Sequence, residues 1–171
     1  MARQQFEQER PARIHIAIAP TKQMERFEWF VEKAVEVGVD RITPLITKRT
    51  ERTALRNDRL QRVAIAAMKQ SRRTWLPVID PLIPIEALLA QQLPWQRFFG
   101  WCEGAHVSLM YAYDPSYDAI AVIGPEGDFD PQEATDLRVK GFTAISLGHA
   151  RLRTETAALA ASMWMSLAQQ R

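Results

Sequence analysis

Ala121-Val122-Ile123-Gly124-Pro125-Glu126-Gly127-Asp128-Phe129-Asp130-Pro131-Gln132-Glu133 decides the fold when it is set beside Thr143-Ala144-Ile145-Ser146-Leu147-Gly148-His149-Ala150-Arg151-Leu152-Arg153-Thr154-Glu155-Thr156-Ala157. Each stretch runs from a short apolar strand through a glycine loop into a helix start. Ligands of open parallel sheets gather beyond the carboxyl ends of the strands, so two such loops predict one ligand site. Asp130-Pro131-Gln132-Glu133 has the chemistry of a helix N-terminus: Asp as cap, Pro at the first helical position, and Glu three residues after the cap. Gly-Pro-Glu-Gly suits a type I turn with Pro125 second and Gly127 fourth, which lets backbone amides approach a ligand. The glycine spacing is neither the dinucleotide fingerprint nor a phosphate loop with its Lys-Ser/Thr.

Outward from these loops the pattern is α/β. Ile14 to Ala19 reads as a strand. Phe27, Phe30, Val31, Ala34 and Val35 then recur at helical spacing, with Gly38 where a C-cap belongs. Ile42 to Ile46 is the next strand, so the order strand-helix-strand predicts a parallel pair with a crossover helix. Asn57 is expected to cap a second helix carrying Leu60, Val63, Ala64, Ala67 and Met68. The prolines at 77, 81 and 84 mark loop, Ile85 to Gln92 a short helix, and Phe98 to Cys102 and Ala119 to Ile123 strands. The last helix, Thr154 to Gln170, is apolar around nearly its whole circumference, which predicts burial on two sides, by its own sheet and by a second subunit.

With 171 residues, 47% of them hydrophobic, the chain can bury one core. The expected organisation is a linker or tail over residues 1–12 and one domain over 13–171. A single cysteine, Cys102, three scattered histidines and the lack of a leader or long apolar span predict a reduced cytoplasmic setting, no membrane association and no metal. Charge is uneven: residues 41 to 73 hold ten Lys or Arg against two acids, for a local +8 on a chain of net +2. That is the footprint expected for a polyanion, with Arg49, Arg52, Arg72 and Arg73 as the candidate RNA contacts.

Together the motifs resemble a known family. Ile-Gly-Pro-Glu-Gly with Asp130 to Glu133, then Leu147-Gly148 and Leu152-Arg153-Thr154-Glu155-Thr156-Ala157, look like signatures of the RsmE family of SPOUT methyltransferases. Glu32-Lys33-Ala34, Glu36-Val37-Gly38-Val39, Ile42-Thr43-Pro44 and Gln70-Ser71-Arg72-Arg73 agree with that pattern. The resemblance implies a SPOUT-type, mostly parallel sheet flanked by helices with a C-terminal trefoil knot. It further implies an S-adenosylmethionine-dependent enzyme methylating N3 of a uridine in small-subunit (16S) ribosomal RNA, acting in ribosome biogenesis as a homodimer on rRNA or the small ribosomal subunit. Family members usually carry an N-terminal RNA-binding barrel of the PUA type, and this chain resembles the catalytic domain alone. Two positions depart from the usual pattern: Asp128 stands for a second glycine, and Ala150-Arg151 for Arg-Ile.

On this resemblance the cofactor would meet Ile123, Gly124, Pro125, Glu126 and Gly127 on one side, and Leu147, Gly148, Leu152, Arg153 and Thr156 on the other. Trp101 and Glu103 would form a third wall. Methyl transfer depends on positioning, and uridine N3 needs a base or a cation that stabilises its anion. Arg153 is the expected electrostatic group. Glu155 is the expected base, ahead of Glu126, with service to the last helix's N-terminus as its alternative role. Two other readings stay open: a SPOUT enzyme for another RNA base, and a non-catalytic RNA-binding module.

Overall fold

Ile14, Ile16 and Ile18 on one face of the first strand, with Ala17 and Ala19 on the other, make a strand that must be covered on both sides, and a computed structural model, which describes residues 10–170, places it near the middle of a parallel sheet. The strands are β1 (Ile14–Ile18), β2 (Arg41–Ile46), β3 (Val78–Ile79), β4 (Ile83–Pro84), β5 (Gln96–Gly100), β6 (Val107–Ser108), β7 (Ala119–Ile123) and β8 (Thr143–Ser146). Their order is β3-β2-β1-β7-β5-β8-β6, with β4 added beside β2, and every pair is parallel. β2 changes neighbour part-way: Arg41 and Ile42 pair with β3, Leu45 and Ile46 with β4. The change flanks Pro44, which has no N–H to give a ladder.

Among the described residues six helices cover the two faces: α1 (Met24–Val37), α2 (Asn57–Gln70), α3 (Ile85–Leu89), α4 (Leu109–Ala112), α5 (Pro131–Val139) and α6 (Thr154–Ala168). α1, α2 and α6 meet Ile14, Ile16 and Ile18 through Phe27, Phe30, Leu60, Ala64, Ala158, Ala161 and Met165. On the other face α3 and α5 bring Ile85, Leu88, Ala134 and Leu137 against Ala17, Leu45, Ile120 and Val122. α1 stops where the sequence predicts: Gly38 sits at φ +92, and its N–H returns to the carbonyls of Ala34 and Val35. No helix among the described residues is long and apolar enough to cross a membrane.

Several local expectations shift. Asn57 is the first helical residue of α2 rather than its cap; Arg56 holds the cap position without a side-chain bond. The proline stretch contains β3 and β4, two-residue strands too short for any periodicity to betray. Over the stretch read as a tail, Arg10 donates to the Gly38 carbonyl and pairs with Asp40, and Ala12 is buried, so the packed chain already includes residues 10–12. The first nine residues of that expected tail lie outside the described residues. The single chain covers one side of α6, as expected of its own sheet, and Met163, Trp164 and Leu167, on the side expected to meet a second subunit, are about 37 to 48% exposed.

Candidate functional site

The first glycine loop is assembled from backbone and carboxylates. Its turn closes one residue later than the sequence suggests, with the Asp128 N–H donating to the Pro125 carbonyl at 2.9 Å. The left-handed residue is therefore Asp128, at φ +63, not a glycine. Gly124 is required for another reason: a Cβ there would come within 3.1 to 3.3 Å of the Phe129 ring and backbone nitrogen. Phe129 is fully buried and meets Phe99 edge to face, so the ring cannot yield. The expected capping box forms, since Asp130 accepts from Gln132 N–H and the Glu133 carboxylate from Asp130 N–H. Glu133 also accepts from the backbone of Lys48 at 2.7 Å, joining this loop to the one after β2.

The second loop is built differently. Gly148 has φ +121, and the space where its Cβ would stand is open. Ser146 Oγ accepts from the Gly148 N–H and donates to its carbonyl, closing the bend locally. Thr154, the first residue of α6, donates from Oγ1 to the Gly124 carbonyl at 3.1 Å, which joins the two loops.

β7, β5 and β8 are neighbours, so the loops that leave their carboxyl ends face one another across a cleft of about 760 Å³. Its walls are Gly100–Cys102 and Gly104–His106, then Ile123–Glu126 with Asp128, then Ile145–Thr154 with Ala157. Of the residues expected to bind a cofactor, Trp101, Ile123, Gly124, Pro125, Glu126, Leu147, Gly148, Leu152 and Arg153 line it. Glu103, Gly127 and Thr156 are exposed and outside the lining. Gly127 instead gives its carbonyl to Arg49. Asp128 and Arg151, at positions that depart from the family pattern, also line the cleft, as does the exposed Cys102; His106 and His149 line it too, with no sequence signal beyond their place near the motifs.

The two expected catalytic groups part company. Arg153 lies at the cleft, exposed, and its guanidinium makes no hydrogen bond or ion pair among the described residues. Glu155 is buried in the first turn of α6, behind the lining, with Arg26 at 3.8 Å and with Oε2 lacking a hydrogen-bond partner among the described residues. Glu126 does line the cleft; its Oε1 accepts from the Lys22 N–H at 2.9 Å. Desolvation first, then the Asp128 carboxylate, pushes the Cys102 thiol pKa up.

Much of the basic segment is already engaged. Arg49 holds the Gly127 and Phe129 carbonyls, and Arg52 those of Thr21 and Lys22, so both fasten loops at the cleft end of the sheet. Arg73 is half-buried, donates twice to the Glu36 carbonyl at the end of α1, and stacks over Trp75. Arg72 beside it is exposed at φ +56, and its side chain has no bond or ion pair among the described residues. The four arginines expected as one RNA-facing set thus divide into three that hold backbone and one that is free.

The sequence matches the family model described as RNA methyltransferase domain over residues 8–166. The chain belongs to this RNA methyltransferase family. It is 33% identical over 152 residues to ribosomal RNA small subunit methyltransferase E of Mesomycoplasma hyopneumoniae, covering 85% of this chain and 65% of that protein. The homologous enzyme of Aquifex aeolicus is 30% identical over 151 residues, again with 65% of its length matched. The chain thus spans about two-thirds of these curated relatives, 65% of each. Among solved structures, a probable rRNA-methyltransferase from Porphyromonas gingivalis superposes with TM-score 0.90 at 40% identity, over 96% of this chain and 71% of that one. Ribosomal RNA small subunit methyltransferase E from Neisseria gonorrhoeae, solved with S-adenosyl methionine bound, gives TM-score 0.82 at 31% identity over 90% and 65%.

Proposed function

We propose that this chain is the catalytic domain of an S-adenosylmethionine-dependent RNA methyltransferase acting on N3 of a uridine in small-subunit rRNA, as a cytoplasmic homodimer. The observation that carries the reading is the cleft beyond the carboxyl ends of β5, β7 and β8, whose size suits a nucleoside-sized ligand. Its donor set fits that cofactor. Backbone at Gly124 and Gly148 supplies close approach, Leu147 and Leu152 an apolar wall, and the open space at Gly148 is a cradle that a Cβ would fill. The names of the relatives point to the same substrate class.

S-adenosylmethionine bound in the cleft supplies an electrophilic methyl group. The chain's own part is to align the uridine and to make its N3 anionic. Arg153, exposed at the mouth without a partner among the described residues, stabilises negative charge on the base as the N3 proton leaves. Glu126, which lines the cleft as Asp128 does, is the proposed acceptor of that proton, whereas Glu155, held behind the lining beside Arg26, keeps the start of α6 in place. Free Arg72 and the exposed Lys69 are the sites on the basic segment for RNA phosphates.

The reading includes one methyltransferase domain and a C-terminal trefoil knot. In its support, β8 lies between β5 and β6 although it follows both in sequence, so the last strand enters among strands already laid down. A second copy is proposed to cover Met163, Trp164 and Leu167 on the far side of α6. Calorimetry with S-adenosylmethionine tests the central reading: micromolar binding supports it, and no binding favours an RNA-binding module. Loss of one N3-methyluridine from the rRNA of cells lacking the gene, read by mass spectrometry, tests the substrate. Sedimentation of Trp164→Glu tests the dimer, with monomers expected; an unmodified chain that is already a monomer at micromolar concentration removes it.

A further inference from the structure

The three walls of the cleft are not equally held. Among the described residues the wall over residues 101–106 is hydrogen-bonded to another loop only through Cys102, whose N–H donates to Asp128 Oδ2 at 3.2 Å. The other carboxylate oxygen, Oδ1, accepts from the Phe129 N–H at 2.9 Å, which aims the side chain across the gap. This arrangement requires Asp128 at φ +63, a left-handed conformation that few side chains adopt and that Asp and Asn tolerate best. The Cys102 thiol also feels Arg151 from the third wall, which opposes the effect of Asp128, so the three loops converge on this point.

We propose that Asp128 is a positioning residue for the methyl donor: its carboxylate fastens the 101–106 wall, which otherwise rests on the packing of Trp101 against the core, to the first glycine loop and so sets the width of the cofactor cleft. The inference rests on reading the cleft as the S-adenosylmethionine site. With the clasp in place the wall is ordered before binding; without it, binding must order Trp101 to His106 and affinity falls.

The test uses calorimetry with S-adenosylmethionine on the wild type, Asp128→Gly and Asp128→Asn, with amide hydrogen exchange alongside. Asp128→Gly removes both acceptors but takes φ +63 freely, so relief of the left-handed strain offsets part of the lost bonds and the thermal midpoint should fall only slightly, while its Kd rises about tenfold, as for one lost charge-assisted bond. Exchange should quicken at residues 101–106 and not in the core strands. Asp128→Asn keeps the left-handed backbone and one acceptor for Cys102, and should return affinity to within about threefold of wild type. Wild-type affinity in the Gly variant, or unchanged exchange at 101–106, overturns the proposal. A wild-type chain that does not bind S-adenosylmethionine overturns instead the reading of the cleft on which it rests.

Discussion

The two glycine loops look alike in sequence and are opposites in the fold. The loop from Gly124 to Asp130 is tied from every side: Arg49 holds Gly127, Lys22 meets Glu126, Glu133 spans to Lys48, and Phe129 is sunk in the core. Among the described residues the loop from Leu147 to Ala150 has only the local Ser146–Gly148 bonds, the tie to the first loop comes later, at Thr154, and His149, Ala150, Arg151 and Arg153 are exposed. A strand-loop-helix pattern therefore encodes two physical objects. One is a rigid wall stabilised by buried partners; the other is an open face that a ligand must order, with the binding cost that ordering carries.

Removing the anchor of the rigid loop should have the largest effect. Glu133 is buried and satisfies two backbone N–H groups, Lys48 at 2.7 Å and Asp130 at 2.9 Å. Glu133→Ala leaves both without a partner and should cost roughly 2–4 kcal/mol in denaturant unfolding. A cost below about 0.5 kcal/mol, the range of an ordinary surface change, would show that the loop is not held this way.

Acid should separate the loop from the rest of the sheet. Burial, then the Arg41 charge, lowers the His15 pKa from 6.5 to about 4, with Asp80 opposing. The unfolded chain therefore takes up a proton that the folded chain refuses. Stability should fall as pH drops from about 6.5 to about 4, by up to roughly 3 kcal/mol, and His15→Gln should flatten that slope. Asp130 shifts the other way: the Gln132 N–H and then Lys48 hold its carboxyl below the usual range. Its contribution is present above its ordinary value of 3.8 and is lost only as pH falls through the lower folded one. The cap of the first loop should thus outlast the neutral histidine in β1, which unfolding curves at pH 7, 5 and 4 can follow.

For the open loop the expected loss is in binding. Gly148→Val places a β-branched side chain at φ +121, in space that no protein atom occupies within 4 Å. The side chain meets the ligand rather than the core, so S-adenosylmethionine affinity should fall at least about 100-fold while the fold survives with a strain of order 1–3 kcal/mol. A folded variant with wild-type affinity would move the site elsewhere.

What could be read from the chain depended on how local its physics was. The capping box at Asp130 to Glu133, the Gly38 cap and the parallel β1–α1–β2 unit need only near neighbours, and each is visible as residue chemistry. Gly127 and Asp128 were harder, because the turn shifted by one residue through tertiary bonds to Arg49 and Cys102. Glu155 falls on the same helical face as Ala158, Ser162 and Met165, all buried, a spacing already visible in the sequence that favours its alternative role at the start of α6. Arg49, Arg52 and Arg73 could not be told from Arg72 by charge, since backbone carbonyls far along the chain decide which guanidinium is spent.

That last distinction gives the smallest and sharpest test, carrying the contrast between tied and open from the loops to the basic segment. Arg73→Ala removes two hydrogen bonds to the Glu36 carbonyl, a positive charge at the C-terminus of α1, and a guanidinium 5.2 Å from the Trp75 ring centre. It should cost about 1–2 kcal/mol of stability, and RNA binding by the folded fraction should keep its salt dependence. Arg72→Ala touches nothing inside the fold, so its unfolding curve should superimpose on wild type. Its effect should appear only in log K against log salt, where one lost phosphate contact lowers the slope by about 0.7 to 0.9. An adjacent pair of arginines that exchanged these results would show that RNA reaches the end of α1 and competes for Arg73, and that the tied side chain is itself part of the binding surface.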